Sequence, residues 1–330
     1  MLSIQGNNIP DTAIKIVGDI GGTNARFACV TDEGNFYHKV KIYPCADFPN
    51  IDDALEMYID HLRSLSVDGI VNLQEVCLAI AGPVYHDIID LPNNHWVFSR
   101  TKLQRVIGVP VQVINDFTAQ TLSLDLLAED ELIWFDDMRP SPRGIRTVIG
   151  PGTGLGIAIQ TPNGEIIPSE AGHIAFAPRN KHQVDILNLL WQRYSRVSVE
   201  RILSGGGIEN LYWANSSLDG REKNIDASDI IGLVNRNDPI AEKTLDDFFR
   251  ILACFCGDMA MTAWSTGGVY LSGGILPKLQ EFLDMKTFRE RFQDKGRFTE
   301  FCRTVPIALV KAEQPGLLGC VAAVQKNQES

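Results

Sequence analysis

Five polar side chains in the middle of the chain have the chemistry of a site for a polyhydroxyl ligand. They are Asn115, Asp116, Glu170, His173 and Glu200. Asn115 and Asp116 directly follow the apolar run 111–114, and Glu170 and His173 are separated only by small residues. Carboxylate, amide and imidazole groups accept hydrogen bonds from hydroxyls, and some of them also donate. The set therefore favours a neutral sugar as the ligand.

Each member of this set also has a simpler structural explanation. An Asn-Asp pair is typical of a turn or a helix N-cap. A histidine such as His173 can be a hydrogen-bonded core residue, and Glu170 can be a surface charge. Glu200 can pair with Arg196 or Arg201, which lie close to it in the sequence. Metal ligation by Glu170, His173 and a cysteine competes as well, but no cysteine is near them in the sequence.

A second candidate site is the stretch 15–31, which reads KIVGDIGGTNARFACVT. Two apolar runs flank Gly21, Gly22, Thr23 and Asn24, the pattern of a β-hairpin with a glycine tip. Adjacent glycines let backbone N–H groups approach an oxyanion, and the Thr and Asn side chains add donors. The stretch predicts a phosphate-binding turn, with an ordinary Gly-Gly hairpin turn as the alternative. The P-loop pattern GxxxxGK[ST] is absent, and the segment after the glycines is β-like.

The hairpin pattern recurs in residues 146–165, which read RTVIGPGTGLGIAIQTPNGE. The tip of this second hairpin consists of Gly152, Thr153 and Gly154. One shift of 130 positions aligns Gly22 with Gly152 and Gly34 with Gly164. The repetition indicates a duplicated structural unit, although chance can produce a match this short. If the unit is duplicated, two glycine tips can hold a polyphosphate in a cleft between two domains.

Strands and helices alternate along the chain, as expected of an α/β fold with a largely parallel centre. The continuous apolar runs 76–81 and 111–114 are typical of strands buried on both faces, and 36–43 is a further extended run. Asn50 is a predicted N-cap, and Asp238-Pro239 is a strong helix start. No linker or low-complexity segment divides the chain, so a domain boundary must lie within packed structure.

The second half contains four further predicted elements. They are the helix 184–194, the loop 204–207, the strand 268–271 and a final helix from Pro315. The strand ends at a third glycine turn, Ser272-Gly273-Gly274. Such a turn allows a flat ring such as adenine to approach the backbone, and a plain strand-to-helix turn is the alternative.

Composition limits the classes of partner. The chain has 330 residues, 45% of them hydrophobic, and a net charge of −11. An acidic protein repels nucleic acid and anionic membranes, so we expect neither as a partner. No signal peptide is visible in the first seventeen residues, and no apolar run is long enough to span a bilayer. The seven scattered cysteines favour reduced thiols and a cytoplasmic location.

Seven segments of the chain together resemble the bacterial-type glucokinase family. They are DIGGTNARFA (19–28), INDFTA (114–119), GPGTGLGIA (150–158), EAGHIAFAP (170–178), VSVERILSG (197–205), LSGG (271–274) and PGLLG (315–319). Each motif is modest alone, but all seven occur in the family's order and cover nearly the whole chain. The resemblance implies the two-domain actin-like ATPase (ribonuclease H-like) fold, with a duplicated hairpin-led α/β unit and ATP in an interdomain cleft. The domains would be a small one, residues 1–126 plus 313–330, and a large one, residues 127–312.

The resemblance also implies ATP-dependent phosphorylation of D-glucose with Mg²⁺. Asp116 would be the general base on the sugar hydroxyl, and Asn115, Glu170, His173 and Glu200 would hold the other hydroxyls. Asp19 would position Mg²⁺ through water. The phosphates would contact Gly21, Gly22, Thr23, Asn24, Gly152, Thr153 and Gly154, and the adenosine would lie beside Ser272, Gly273 and Gly274. The expected partners are therefore the sugar and ATP, and a homodimer is one assembly open to the chain.

Two departures from a related family narrow this expectation. The repressor/open-reading-frame/kinase family carries a zinc-binding cysteine cluster after its Glu-x-Gly-His motif, whereas here Ile174, Ala175 and Phe176 follow His173. We therefore expect no structural zinc. Some members also have an N-terminal DNA-binding domain, but the first strand is predicted here by about residue 14. A kinase for fructose, mannose or N-acetylglucosamine, and an actin-like ATP switch without kinase activity, are the alternatives.

Overall fold

The computed structural model describes residues 13–31 and 36–329. Within these ranges the strands are β1 (Ile14–Ile20), β2 (Asn24–Thr31), β3 (Tyr37–Pro44), β4 (Leu73–Ile80), β5 (Ile88–Asp90), β6 (Val97–Ser99), β7 (Val111–Asn115), β8 (Leu132–Trp134), β9 (Arg146–Pro151), β10 (Leu155–Gln160), β11 (Ile166–Ser169), β12 (Val269–Leu271) and β13 (Ile307–Val310). The α-helices are α1 (Ile51–Leu65), α2 (Arg100–Ile107), α3 (Asp116–Ser123), α4 (Lys181–Leu190), α5 (Gly205–Leu218), α6 (Ala227–Val234), α7 (Pro239–Ala263), α8 (Leu276–Leu279), α9 (Met285–Gln293), α10 (Thr299–Thr304) and α11 (Pro315–Glu329).

The chain divides into two compact units, and the first comprises Met1–Ala128 and Ala312–Ser330. Its sheet has the order β3-β2-β1-β4-β7. Pairing is antiparallel from β3 to β1 and parallel from β1 to β7. Helix α11 packs against β1 and β4, which buries these central strands and explains their continuous apolar sequence. The parallel centre predicted from residues 76–81 and 111–114 is confirmed.

The second unit, Glu129–Lys311, contains a sheet of order β11-β10-β9-β12-β13-β8. Pairing is antiparallel from β11 to β9, parallel from β9 to β13, and antiparallel again between β13 and the edge strand β8. Its hydrophobic core lies between this sheet and helices α5 and α7, with Ile149, Leu211 and Phe248 among its fully buried side chains. The unit therefore has a core of its own.

The two sheets share one topology. In each, an antiparallel hairpin and a third antiparallel strand are followed by two parallel strands on the other side of the first strand. The hairpins β1–β2 and β9–β10 are the two segments that the sequence repeat relates. The predicted duplication is therefore confirmed, while Gly34, aligned above with Gly164, lies outside the described residues.

The long helix predicted from Asp238-Pro239 is α7. The Asp238 side chain accepts hydrogen bonds from the backbone N–H groups of Ile240 and Ala241, and Pro239 is the first helical residue. Its core face includes Leu245, which is buried. None of the helices in the described ranges has the length and apolar character needed to cross a membrane.

The predicted loop 204–207 is wrong, because its glycines begin helix α5. Ser204 is the N-cap, and its Oγ accepts a hydrogen bond of 3.0 Å from the backbone N–H of Gly207. A Cβ on Gly207 would lie 2.3 Å from the Ile202 carbonyl carbon, so glycine is required by close packing. Glycine disfavours a helix by about 1 kcal/mol per residue. The cap and the buried residues from Ile208 onward outweigh that propensity here.

The helix predicted over 184–194 is α4, with both ends shifted toward the N-terminus. Its N-cap is Asn180, whose Oδ1 accepts a hydrogen bond of 2.9 Å from the Gln183 N–H. The helix ends at Leu190, and hydrogen-bonded turns continue to Tyr194. Apolar periodicity located the buried middle of the helix but not the cap, which is polar and lies outside the periodic segment.

Candidate active site

Two aspartates of the first unit lie at the carboxyl-terminal ends of its parallel strands. Asp19 is near the end of β1, and Asp116 follows β7 as the first residue of α3. Burial raises the pKa of Asp116 to about 6, and the negative charge of Asp19 adds to this effect. Burial also raises the pKa of Asp19, while the Arg26 guanidinium, 3.7 Å away, opposes the shift. The carboxyl group of Asp116, at this edge of the sheet, therefore gains or loses its proton closer to neutral pH than an ordinary carboxyl group does.

Asn115 holds Asp116 in place. Its Oδ1 accepts hydrogen bonds from the N–H groups of Phe117 and Thr118 at 2.9 and 3.2 Å, which is N-cap geometry. Its Nδ2 donates to Oδ1 of Asp116 at 3.0 Å and to the Gly82 carbonyl at 3.1 Å. The N-cap explanation from the sequence is therefore correct for Asn115. The same side chain orients the neighbouring carboxylate.

The start of helix α11 lies against Asp19. A Cβ on Gly316 would be 2.8 Å from the Asp19 carboxyl carbon, so any larger residue would push the helix away from it. Gly319, one turn later, lies against the Ala119 carbonyl of α3. These contacts account for both glycines of the sequence PGLLG, for which the sequence alone indicated only a helix start.

Hydrogen bonds hold the base of the first glycine turn, and the residues at its tip are exposed to solvent. The Gly21 N–H donates to the Asn24 carbonyl at 3.0 Å, and the Gly21 carbonyl accepts from Asn94 Nδ2 at 3.1 Å. Gly22 and Thr23 are exposed, and within residues 13–31 and 36–329 their N–H groups donate no hydrogen bond. A Cβ on Gly22 would lie 2.7 Å from the Asn93 carbonyl oxygen. The turn therefore presents two backbone donors, as a phosphate-binding turn must.

Three glycine segments of the second unit meet at the adjacent ends of β9 and β12. The Gly205 N–H donates to the Gly152 carbonyl at 2.9 Å, which joins the start of α5 to the second glycine turn. A Cβ on Gly273 would lie 2.6 Å from the Pro151 carbonyl oxygen, so the turn 272–274 packs against the same strand end. The sequence indicated these segments separately, and the parallel pairing of β9 with β12 brings them together.

Glu200 is tied to the second glycine turn. Its Oε2 accepts a hydrogen bond of 2.9 Å from the Leu155 N–H and would lie 2.6 Å from a Cβ on Gly154. No ion pair with Arg196 or Arg201 occurs in the part of the chain that the structure describes, so that alternative for Glu200 is not realised. The Glu200 side chain is thus hydrogen-bonded to the first residue of β10, directly after the second glycine turn.

His173 lies between two carboxylates of the same unit. Its Nδ1 is 3.8 Å from Oε1 of Glu200, and its Nε2 is 3.8 Å from Oε2 of Glu170. The His173 side chain is 56% exposed, so it is not a core histidine. The 3₁₀ helix Ala171–His173 packs closely against β10. A Cβ on Gly172 would lie 2.2 Å from the Leu155 carbonyl oxygen, so only glycine fits there. Three of the five predicted hydroxyl-binding side chains are therefore grouped in this unit.

The family model described as Glucokinase matches residues 16–327. The chain belongs to the glucokinase family. It is 40% identical over 318 residues to the glucokinase of Chromohalobacter salexigens, covering 95% of this chain and 98% of that relative. The crystal structure of glucokinase from an Antarctic psychrotroph is 31% identical with a TM-score of 0.83, and covers 95% of this chain and 99% of that one. The family resemblance and the actin-like ATPase fold expected from the sequence are confirmed.

A more distant glucokinase shares the fold. The crystal structure of glucokinase from Balamuthia mandrillaris in complex with glucose is 20% identical with a TM-score of 0.74, covering 95% of this chain and 94% of that one. At this identity the similarity establishes architecture alone.

Proposed function

We propose that the protein transfers the γ-phosphoryl group of ATP to the 6-hydroxyl of D-glucose, the first step of glycolysis. The observation that carries the proposal is the hydrogen bond between the Leu155 N–H and Glu200 Oε2. Through it, a carboxylate suited to a sugar hydroxyl is fixed to the backbone of a turn suited to phosphate. Phosphoryl transfer requires positioning of its two substrates above all, and shared backbone provides that.

Asp116 is the general base in this proposal. The 6-hydroxyl oxygen forms a bond to the γ-phosphorus, the bond from that phosphorus to the leaving oxygen of ADP breaks, and the hydroxyl proton passes to the carboxylate. Proton transfer of this kind is most efficient when the pKa of the base lies near the working pH. The pKa of about 6 at Asp116 meets that condition. Asn115 orients this carboxylate, and binds a sugar hydroxyl by exchanging one of its present hydrogen bonds.

The other residues bind the sugar hydroxyls, the phosphates and the adenosine. Glu170, His173 and Glu200 bind the other sugar hydroxyls. The donors for the phosphates are the two glycine turns, Gly21, Gly22, Thr23 and Asn24 in the first unit and Gly152, Thr153 and Gly154 in the second. The turn formed by Ser272, Gly273 and Gly274 lies beside the adenosine.

Asp19 fits the role of positioning Mg²⁺ through water. Mg²⁺ is commonly held by one or two carboxylates together with substrate phosphates and water, not by a complete protein cage. The described ranges contain no cluster of three or more His, Cys, Asp or Glu side chains that could hold a metal. Asp19 lies close enough to Asp116 for its charge to raise the Asp116 pKa, and it supplies a carboxylate of the kind required. When bound with ATP, the ion neutralises phosphate charge during transfer.

We assign residues 1–126 with 313–330 to the small domain and residues 127–312 to the large one. The partners are the sugar and ATP. The proposed compartment is the cytoplasm, where ATP is available, and the seven cysteines are all unpaired, which suits a reducing environment.

A coupled assay across sugars and phosphate donors tests this function. Glucose, fructose, mannose and N-acetylglucosamine are each offered with ATP, and glucose is also offered with ADP or polyphosphate. We expect the highest kcat/KM for glucose with ATP. A higher value for another hexose would replace the assigned sugar, and activity only with polyphosphate would replace the assigned donor.

The rate should depend on the ionisation of Asp116. A base must be unprotonated, so kcat/KM should fall about tenfold per pH unit below the Asp116 pKa of about 6. A carboxyl group with an ordinary pKa of about 3.9 would maintain the rate to below pH 5. A pH–rate profile of the wild-type enzyme distinguishes these cases, and a flat profile from pH 7 to pH 5 would contradict the assignment.

Gly154→Ala should weaken sugar binding selectively. The new Cβ would lie 2.6 Å from Glu200 Oε2, so the carboxylate must move and its bond to Leu155 must lengthen. The displaced atom is the end of a flexible side chain, so we expect the lower range of the cost of a perturbed hydrogen bond to a charged group, about tenfold in the glucose Kd. Calorimetric titration with glucose measures the Kd of the variant and of the wild-type protein.

Gly152→Ala is the matched comparison for sugar binding, because the nearest atom to its Cβ would be 3.9 Å away. Equal glucose Kd values for the two variants would show that Glu200 is not held in place by this contact.

A further inference from the structure

A cavity of about 500 Å³ lies in the second unit, between the end of helix α6, the first half of α7 and the start of α9. Its volume is that of a small-molecule site, for which about 300–1,000 Å³ is usual. None of the residues assigned above to the sugar, the phosphates, the adenosine or Mg²⁺ lines it. The cavity is therefore free to serve a ligand other than the two substrates.

The floor of this cavity is apolar. Leu245 and Phe249 of α7 and Phe288 of α9 line it, and these side chains are 2%, 7% and 1% exposed. The half-buried side chains of Val234 and Phe282 continue the same surface. Methylene groups of a ligand would gain affinity by covering this floor and releasing water from it.

The rim of the cavity is acidic. Glu242, Asp246 and Asp284 are exposed there, and Arg250 is the cation among the described residues of the lining. Hydrogen bonds from the Thr287 side chain and backbone lower the pKa of Asp284, so this carboxyl group is charged at neutral pH. Three carboxylates and one guanidinium give the rim a net charge of −2.

One carboxylate of the rim has no counter-charge. Both oxygens of Asp246 accept from Arg250 Nε, at 2.7 and 2.6 Å. Glu242 lies four residues before Asp246 on the same face of α7, where like charges repel each other. In the part of the chain that the structure describes, the Glu242 side chain makes no ion pair or hydrogen bond. A cation beside Glu242 would relieve this repulsion.

Two amides of the rim offer further acceptors. Asn235 and Asn237 follow the end of α6, and both are exposed. Their side chains have no hydrogen-bond partner within the described ranges. An ammonium group has three donors and no acceptor, so it can use amide carbonyl oxygens together with a carboxylate. The rim thus carries the acceptors that an ammonium group requires.

We propose that this cavity binds an aliphatic diamine or polyamine. One ammonium group lies at Glu242, the methylene chain covers the apolar floor, and a second ammonium group lies at the other carboxylates of the rim. A diamine carries two positive charges and so matches the net charge of the rim. An anion would be repelled there, and a neutral apolar ligand would leave Glu242 without a partner.

Calorimetric titration at low ionic strength tests the proposal, because exposed charges are then least screened. The probes are 1,8-diaminooctane, the shorter 1,4-diaminobutane and the uncharged 1,8-octanediol. Each buried methylene group strengthens binding by up to about fourfold, so the longer diamine should bind about tenfold or more tightly than the shorter one. The diol should bind about tenfold or more weakly than the diamine of equal length, because it makes no charged contact with the rim.

Glu242→Lys should weaken binding of 1,8-diaminooctane by about tenfold or more, since it replaces an attraction by a repulsion. Glu165→Lys is the matched control. It makes the same change in net charge at an exposed position of the same unit that does not line the cavity, and it should bind the diamine as wild-type does. Both positions are exposed, so both variants should fold, and thermal unfolding verifies this.

Four outcomes would overturn the proposal. They are no measurable binding of the longer diamine, equal affinity for the diamine and the diol, equal affinity for the two diamines, and equal loss in Glu242→Lys and Glu165→Lys. The last would identify general attraction of cations to an acidic protein. The titrations contain neither sugar nor ATP, so their result is independent of whether the protein phosphorylates glucose.

Discussion

Asp116→Asn is expected to lower kcat by about 10²- to 10⁴-fold, the usual contribution of a positioned general base. The substitution removes the proton acceptor and preserves the shape of the side chain. Asparagine Oδ1 can still accept from the Phe117 N–H and from Asn115 Nδ2, so the start of α3 should be retained. The glucose Kd should therefore change little, and the loss should appear in the chemical step.

The stability of this variant gives an independent check. Burial raises the pKa of Asp116, which means that the folded state disfavours the charged form. Replacing the carboxylate by a neutral amide should thus maintain or raise the melting temperature at pH 7 to 8. Asp52→Asn, in the first turn of α1 of the same unit, is the matched control and should retain wild-type kcat. Wild-type turnover in Asp116→Asn would overturn the assignment of the base.

Gly319→Ala is expected to cause the largest loss of stability among glycine-to-alanine changes at the described positions of the first unit. Its Cβ would lie 1.8 Å from the Ala119 carbonyl oxygen, where α11 packs on α3. The clashing atom belongs to the backbone of a helix, so it cannot swing away as a side chain does. Overpacking of this kind costs about 1–3 kcal/mol or more, and we expect the upper part of that range.

Thermal unfolding measures this effect. A loss of about 3 kcal/mol corresponds to a fall in melting temperature of roughly 10 °C for a unit of this size. Gly232→Ala in α6 is the matched control, because its Cβ would meet nothing within 4 Å. Alanine is favoured over glycine in a helix by about 1 kcal/mol, so that variant should be slightly more stable than wild-type. Equal melting temperatures for the two variants would show that the α3–α11 packing is not tight.

The sequence predicted the hairpins and the parallel strands because each has a local signature. Apolar runs bounded by glycine define β1, β2, β9 and β10, and a buried strand such as β4 is apolar throughout. The loop expected at Ser204 failed for the opposite reason. Helix α5 is specified by a cap and by burial in tertiary structure, and neither is visible in three consecutive glycines.

The sequence predicted which residues form the site, but it did not predict the contacts that these residues make. Asn115 shows why two explanations can both hold: the amide that caps α3 is also the group that orients Asp116. Glu200 was open to pairing with an arginine nearby in sequence, yet its partner is the backbone of Leu155, forty-five residues away. Such a partner depends on the sheet order, which the local pattern does not encode.

Phosphorus NMR of the wild-type protein with Mg²⁺, ATP and glucose tests the central claim most directly. We predict that glucose 6-phosphate and ADP appear in equal amounts, without accumulation of inorganic phosphate. Inorganic phosphate formed with ADP and no sugar phosphate would identify an ATP switch, and would contradict the assignment of this protein as an ATP-dependent glucose kinase.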